Sequence, residues 1–259
     1  QVTGKTVSEL QGLSGEITRL STGFGVASSD LVEVSRVLSQ AGLSADDTKK
    51  ALESLAKSTL APTFTDIRNT TEGVIAAMRQ FGIQAGQLEG VLGSINAVAG
   101  SFAVEADDIV AAIRRVGGVF KAASGDIAAP TTQLNELVAI FTSVRATTRE
   151  SAESIATGLR TIFTRIQRPR TIEFLRQFNI ELQNSQGQFI GAFNAMQKLS
   201  EGLKDLDPRD VRFSQVVEEI GGFRRVGKLI PAIQQFATTQ VALGVATAGA
   251  GSLAGDAAT

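Results

Sequence analysis

Cysteine and histidine are both absent from the sequence. Their absence removes disulfides, zinc sites of the usual Cys/His kind, histidine base catalysis and thiol nucleophiles together. A hydrolase made from this chain would have to be built from carboxylates, or from serine and lysine alone, and no cofactor is expected. Tryptophan and tyrosine are missing as well, and the aromatic rings are 14 phenylalanines. Stacking platforms for single-stranded nucleic acid would rest on phenylalanine alone, and a carbohydrate site would lack its common aromatic floor. Nor is there an excess of charge: 25 basic residues stand against 26 acidic ones, so no global field points to nucleic acid or to a basic partner.

Chemistry stays sparse at closer range. Asp107 with Asp108, and Glu218 with Glu219, are adjacent pairs. On a helix such neighbours point about 100° apart and do not converge on one proton or one metal. They read as solvated helix faces, and no metal site is expected. Gly221 and Gly222 precede Phe223, Arg224 and Arg225 rather than the Lys-Ser/Thr of a phosphate loop, so the pair reads as a helix break.

What the chain does have is helical periodicity. Its 259 residues, 43% hydrophobic and 20% charged, can bury a core in one large domain or two modest ones. The stretch from Leu134 to Pro169 reads as the centre around which the rest packs: Leu134, Leu137, Phe141 and Val144 form one stripe, and Ile155, Leu159, Ile162 and Ile166 another. Thr147 and Glu150, three apart, read as a reciprocal cap between the two helices. Pro169 closes the second, because the residue before a proline avoids helical dihedrals.

Upstream, Leu10, Leu13, Ile17 and Leu20 make an entering helix that Gly23 and Gly25 break. Asp30 with Glu33, and Ser44 with Asp47, read as caps of two short antiparallel helices ended by Gly42 and Pro62. Further stripes run from Ile67 to Phe81, Leu88 to Val98 and Ile109 to Phe120. Beyond Pro169, Ile180 and Leu182 alternate, Asn184, Ser185 and Gly187 turn the chain and Phe189 resumes, which predicts a small hairpin near residues 180–190. Helical stripes return at Phe193, Met196 and Leu199, at Phe213, Val216, Val217 and Ile220, and at Val226, Leu229, Ile230 and Ile233. The expected fold is all-α: a multi-helix bundle of short antiparallel helices with one small β-hairpin. Pro130, Pro169 and Pro208 are equally spaced, close to the roughly 40-residue period of some helical solenoids. The segments between them do not resemble one another, so the spacing reads as coincidence.

These signals divide the chain into an entering helix over 1–27, a helical core domain over 28–240 and an uncharged Gly/Ala-rich exit segment over 241–259. Gln1 stands where an initiator methionine would, and no basic region with an apolar core follows it. The chain therefore reads as a piece of a longer protein, without a signal peptide.

Two features could carry contacts. Arg145, Arg149, Arg160, Arg165, Arg168, Arg170 and Arg176 crowd one stretch, opposed by Glu150, Glu153 and Glu173. Such a patch could follow phosphates, or serve helix surfaces and C-terminal dipoles; that every member is arginine favours the forked geometry of protein carboxylates. From Leu229 to Gly255 there is no charged residue, longer than the roughly 20 residues a helix needs to cross a bilayer. Leu229, Ile230, Ile233, Phe236, Val241, Leu243, Gly244 and Ala248 are its candidate membrane or self-packing residues. Gln234, Gln235, Gln240 and Pro231 interrupt it, and its small residues suit close packing between copies.

The order of segments carries a resemblance. DLVEVSRVLSQAGLSADDTKKALESLAK, MRQFGI, VLGSINAVAGSFAVEADDIVAAIRRVGGVFKA, LNELVAIFTSVRATTRESAESIATGLRTIFTRIQRP, LRQFNIELQNSQGQFIG and VVEEIGGFRRVGKLIPAIQQF, in that succession, resemble the core domain of tail tape measure proteins of long-tailed bacteriophages over residues 10–240. Arg145 and Ala146 stand where relatives often carry a glycine-containing turn. The resemblance implies a structural virion protein rather than an enzyme. Such proteins are long helical chains that lie in the lumen of the tail tube in a few copies, set tail length during assembly and leave ahead of the genome, often with segments that enter the host membrane. It therefore implies a homo-oligomer around the tail axis and coiled-coil contacts. It also implies tail tube, tail tip and tail assembly chaperone partners, and a place in the tail lumen or tip after assembly in the host cytoplasm. A single helix of this length would extend about 390 Å at 1.5 Å per residue, so with its many breaks this chain is not itself the ruler. A membrane-active module using the uncharged segment, and a helical nucleic-acid-binding domain using the arginines, are the other readings, with nucleic acid and membrane the less expected partners.

Overall fold

The computed structural model describes residues 7–222 and 226–253. Two compact units share the chain: residues 7–111 with 245–253, and residues 112–244. The boundaries fall inside helices, one in α6 (Ala106–Ser124) and one in α13 (Phe236–Ala248).

The first unit is assembled on α3 (Ala45–Ser58), which packs against α1 (Val7–Phe24), α2 (Ser28–Gln40), α4 (Ile67–Phe81) and α5 (Leu88–Phe102). Its face of Ala51, Leu52, Leu55 and Ala56 is fully buried, the stripe a helix needs to drive packing from one side. Ser44 accepts the Asp47 amide at 3.0 Å and starts α3 as expected. Asp66 caps α4 by accepting the amides of Arg68 and Asn69. Gly82, at φ 78°, ends α4 in the left-handed region open to glycine. Asp30 does not cap α2. That helix begins two residues earlier, behind Ala27, and Asp30 lies in its first turn, where a carboxylate meets the positive end of the helix dipole.

The second unit is centred on α7 (Pro130–Thr148) and α12 (Val226–Gln234). The latter contacts α7, α8 (Ala152–Ile166), α10 (Ala192–Leu203) and α11 (Val211–Gly221). α7 is buried nearly all round, with Leu137 to Val144 enclosed without a break. Its stretch is thus central to this unit, while the first unit is built on α3. Phe120 and Phe163 meet edge to face, ring centres 5.1 Å apart.

The expected Thr147–Glu150 cap does not form. α7 continues through Arg145 and Ala146, both good helix formers, and the Thr147 hydroxyl donates back to the Ser143 carbonyl at 2.9 Å. The chain turns at Arg149, φ 56°, and Ser151 caps α8 by accepting the Ser154 amide. Pro169 opens α9 (Pro169–Arg176) at its first turn as Pro130 opens α7, whereas Pro208 stands ahead of α11 and outside it.

The small hairpin is also corrected. Among the described residues there is no strand: Gln183 and Phe189 form one isolated antiparallel bridge, flanked by the Asn184 and Ile190 amides donating to Gln188 and Leu182 carbonyls at 2.8 and 3.0 Å. Asn184 satisfies the loop by itself, its side-chain oxygen accepting the Gln186 and Gln188 amides. The arms are too short for a ladder, because Gly191, at φ 89°, already leads into α10.

The uncharged C-terminal run is not one helix. α12 encloses Pro231 and ends at Gln234, α13 follows from Phe236, and a 3-10 turn over Gly249–Gly251 comes after it. No helix among the described residues is long and apolar enough to cross a membrane. In the second unit Leu229, Ile233, Phe236 and Ala242 are buried, Ile230 and Leu243 partly so, and Val241 and Gly244 are exposed. In the first unit Ala248 is exposed, but the turn after it lies in close contact with α5. Ser252 donates to the Gly93 carbonyl at 2.8 Å, and Asn96 donates to Ser252 at 3.1 Å. The exit segment beyond Leu253 lies outside the described residues, as does the Phe223 to Arg225 part of the break after α11.

Candidate interaction site

The arginine-rich stretch divides in the folded chain. Arg165 closes α8, Arg168 stands in extended conformation before Pro169, and Arg170 lies in the first turn of α9. The short link between the two helices thus brings three guanidinium groups to one cleft of about 390 Å³, whose other walls include Thr171 and Phe174 of α9 and Gln215, Glu218 and Glu219 of α11. Arg165 reaches the last turn of α11, donating to the Glu218 carbonyl at 3.5 Å, one of the carbonyls a helix end leaves open. Gly222 makes room for it: a Cβ there would stand 3.2 Å from the guanidinium. Across the cleft floor the buried Thr171 hydroxyl donates to the Glu219 carboxylate at 2.9 Å.

The remaining arginines do not line this cleft. Arg176 is held by Glu173 at 2.6 Å, Glu181 at 3.0 Å and the Gln183 side chain at 2.7 Å. That pairing raises its own pKa, and hydrogen bonding to Arg176 holds Glu181 below the usual carboxylate range. Arg160 is exposed midway along α8. Arg145 lies in the last turn of α7 and Arg149 at its left-handed end.

Three acidic groups gain roles that spacing concealed. Glu219, read as a solvated face, is tied to Thr171 and half-buried. Glu150, read as a cap, instead meets Lys228 at 2.7 Å. Hydrogen bonds from Lys228 and then Ser154 hold its carboxyl below the ordinary value. Lys228 is only 11% exposed, and its stem passes Gly158 so closely that a Cβ there would be 3.0 Å from its Cγ. Glu136, on α7, sits in a recess shared with Ser124, Gln133 and Asn194, and burial pushes its carboxyl up to about 7. Glu150 and Lys228 are distant in sequence, so no local signal could have paired them. Asp107 accepts hydrogen bonds from Thr65 and Asn69, and no group of acidic side chains among the described residues is arranged to hold a metal ion.

Three arginines thus face a wall that carries Gln215, Glu218 and Glu219, with Phe174 beside them, and an oxyanion can be held on the arginine side. No solved structure matches the chain. Its residues 14–222, from α1 to the end of α11, match the model of a family described as phage-related minor tail protein. The match spans well over half of the chain, which belongs to the phage-related minor tail protein family.

Proposed function

We propose that this chain is the folded, non-measuring part of a tape measure protein, acting as a structural component of the virion in tail assembly, length determination and genome ejection. The observation that carries the reading is the family match over eleven successive helices, together with the resemblance of those segments, in order, to the tape measure core domain. Among the described residues the longest helices have 19 residues and reach only about 29 Å at 1.5 Å per residue. A ruler would therefore be supplied by other parts of the parent protein. Several copies would surround the tail axis with closed rotational symmetry, as a lumenal component of a symmetric tube requires. Tube, tip and chaperone proteins of the tail would be its partners. A contact with host membrane would require the α12 and α13 segment to leave its packing.

In-frame deletion of residues 14–222 from the parent gene tests this. Tails should fail to assemble, or assemble aberrantly, in electron micrographs. Regular tails shortened by about 1.5 Å per deleted residue would make this chain the ruler, and normal tails would remove it from assembly altogether.

A further inference from the structure

We propose that the cleft formed by Arg165, Arg168 and Arg170 against α11 is a docking site for a carboxylate-bearing segment of a partner protein. The inference stands whether or not the parent protein measures tail length. Its basis is an uneven distribution of ion pairs. Many arginines elsewhere find acids: Arg19 with Glu16, Arg68 with Glu33, Arg115 with Glu153, Arg209 with Asp207 and Arg212 with Asp210. Arg36 and Arg79 meet the Gln40 side chain and the Ala41 carbonyl instead, and Arg160 is exposed away from this cleft. Arg168 and Arg170 are exposed and, among the described residues, have no such partner, while Arg165 has only a helix carbonyl. In a chain with as many acids as bases, three arginines without carboxylate partners around one concavity leave a local demand for negative charge.

The shape and chemistry of the cleft favour carboxylate over a nucleic-acid backbone. Glu218 and Glu219 form the facing wall, so an acidic group is held on the arginine side of the cleft. Guanidinium forks match the planar, two-oxygen carboxylate. Phe174 offers an apolar surface beside them for the stem of a glutamate. A net charge of -1 supplies no long-range attraction for nucleic acid.

The experiment is an anisotropy titration of the whole chain with two fluorescein-labelled probes, hexaglutamate and an oligothymidylate carrying six phosphates. Hexaglutamate should bind, and Arg168→Gln with Arg170→Gln should weaken it at least tenfold. The same pair changed to lysine should weaken it about threefold, because charge is kept and the fork is lost. Arg160→Gln should leave it unchanged, and Glu218→Gln should strengthen it. Circular dichroism of each variant checks that the helices remain. Equal hexaglutamate binding by parent and double glutamine variant overturns the proposal, as does absence of hexaglutamate binding by the parent. Oligothymidylate bound more tightly than hexaglutamate, with the same arginine dependence, assigns the cleft to phosphates instead and likewise overturns it.

Discussion

Gly93 and Gly100 lie on the same helix, α5, and the same substitution should move them in opposite directions. Alanine is worth about 1 kcal/mol over glycine inside a helix. At Gly100 a Cβ meets nothing within 4 Å, so Gly100→Ala should collect that stabilisation. At Gly93 a Cβ would stand 2.5 Å from the Ala250 carbonyl oxygen and 2.8 Å from that of Gly249. Both are backbone atoms of the 3-10 turn and cannot rotate away as a side chain would. The turn can shift under strain, typically at about 1–3 kcal/mol for overpacking. Detaching would sacrifice the Ser252 to Gly93 and Asn96 to Ser252 hydrogen bonds, roughly 1 kcal/mol each, and the buried Leu253, about 1.5–3 kcal/mol more. Shifting is cheaper, so Gly93→Ala should end up to about 2 kcal/mol less stable than the parent after the helix gain is counted. That corresponds to a melting temperature lower by up to about 8 °C for a chain of this size, read by circular dichroism. Truncation after Thr247 removes the opposing backbone and should reverse the sign, making Gly93→Ala stabilising in the shortened chain. If Gly93→Ala raises the melting temperature of the full chain as Gly100→Ala does, the close packing of the turn on α5 is refuted.

Glu136 should make stability fall with rising pH. Its folded pKa of about 7 exceeds the ordinary 4.5, so between those values the folded state keeps a proton the unfolded state has released. Glu136→Gln should therefore match the parent below pH 4.5 and gain up to about 3 kcal/mol above pH 7, and a urea midpoint difference independent of pH would contradict this. Glu150 has the opposite sign: its lowered pKa contributes stability above its ordinary value that is lost as pH falls through the folded one. A double-mutant cycle of Glu150→Gln and Lys228→Met should show a coupling of about 1 kcal/mol at pH 7 that disappears near pH 2, whereas a coupling unchanged in acid would show that packing, not charge, joins them. Asn184→Ala removes the acceptor of two loop amides, about 1 kcal/mol each. Hydrogen exchange at Gln186 and Gln188 should accelerate, and unchanged exchange would mean that the loop is held by its bridge alone.

Helices were legible wherever an apolar stripe coincided with a local stop. Ile67 to Phe81 shows a four-three spacing and ends on Gly82, and the element has those bounds because period and terminator lie within one short window. The Thr147–Glu150 pattern misled because a threonine hydroxyl can bond forward as a cap or back along the helix, and burial of α7 favours the second. Alternation at Ile180 and Leu182 suggested strands, yet both side chains are buried beside a turn that needs no ladder.

The sequence by itself determined the helical class, most of the stripes and several terminators, together with the lack of histidine and cysteine chemistry. These depend on residue type and on neighbours within one or two turns. Tertiary structure alone decided that the chain forms two units, that the uncharged C-terminal run is divided between them, and that three of seven crowded arginines share a cleft with α11. It also decided that Glu150 belongs with Lys228 and that Glu136 is partly buried, enough to raise its pKa. The physical reason is the same in each case: charge pairing, desolvation and close backbone approach depend on distances between residues far apart in the chain, and packing sets those distances.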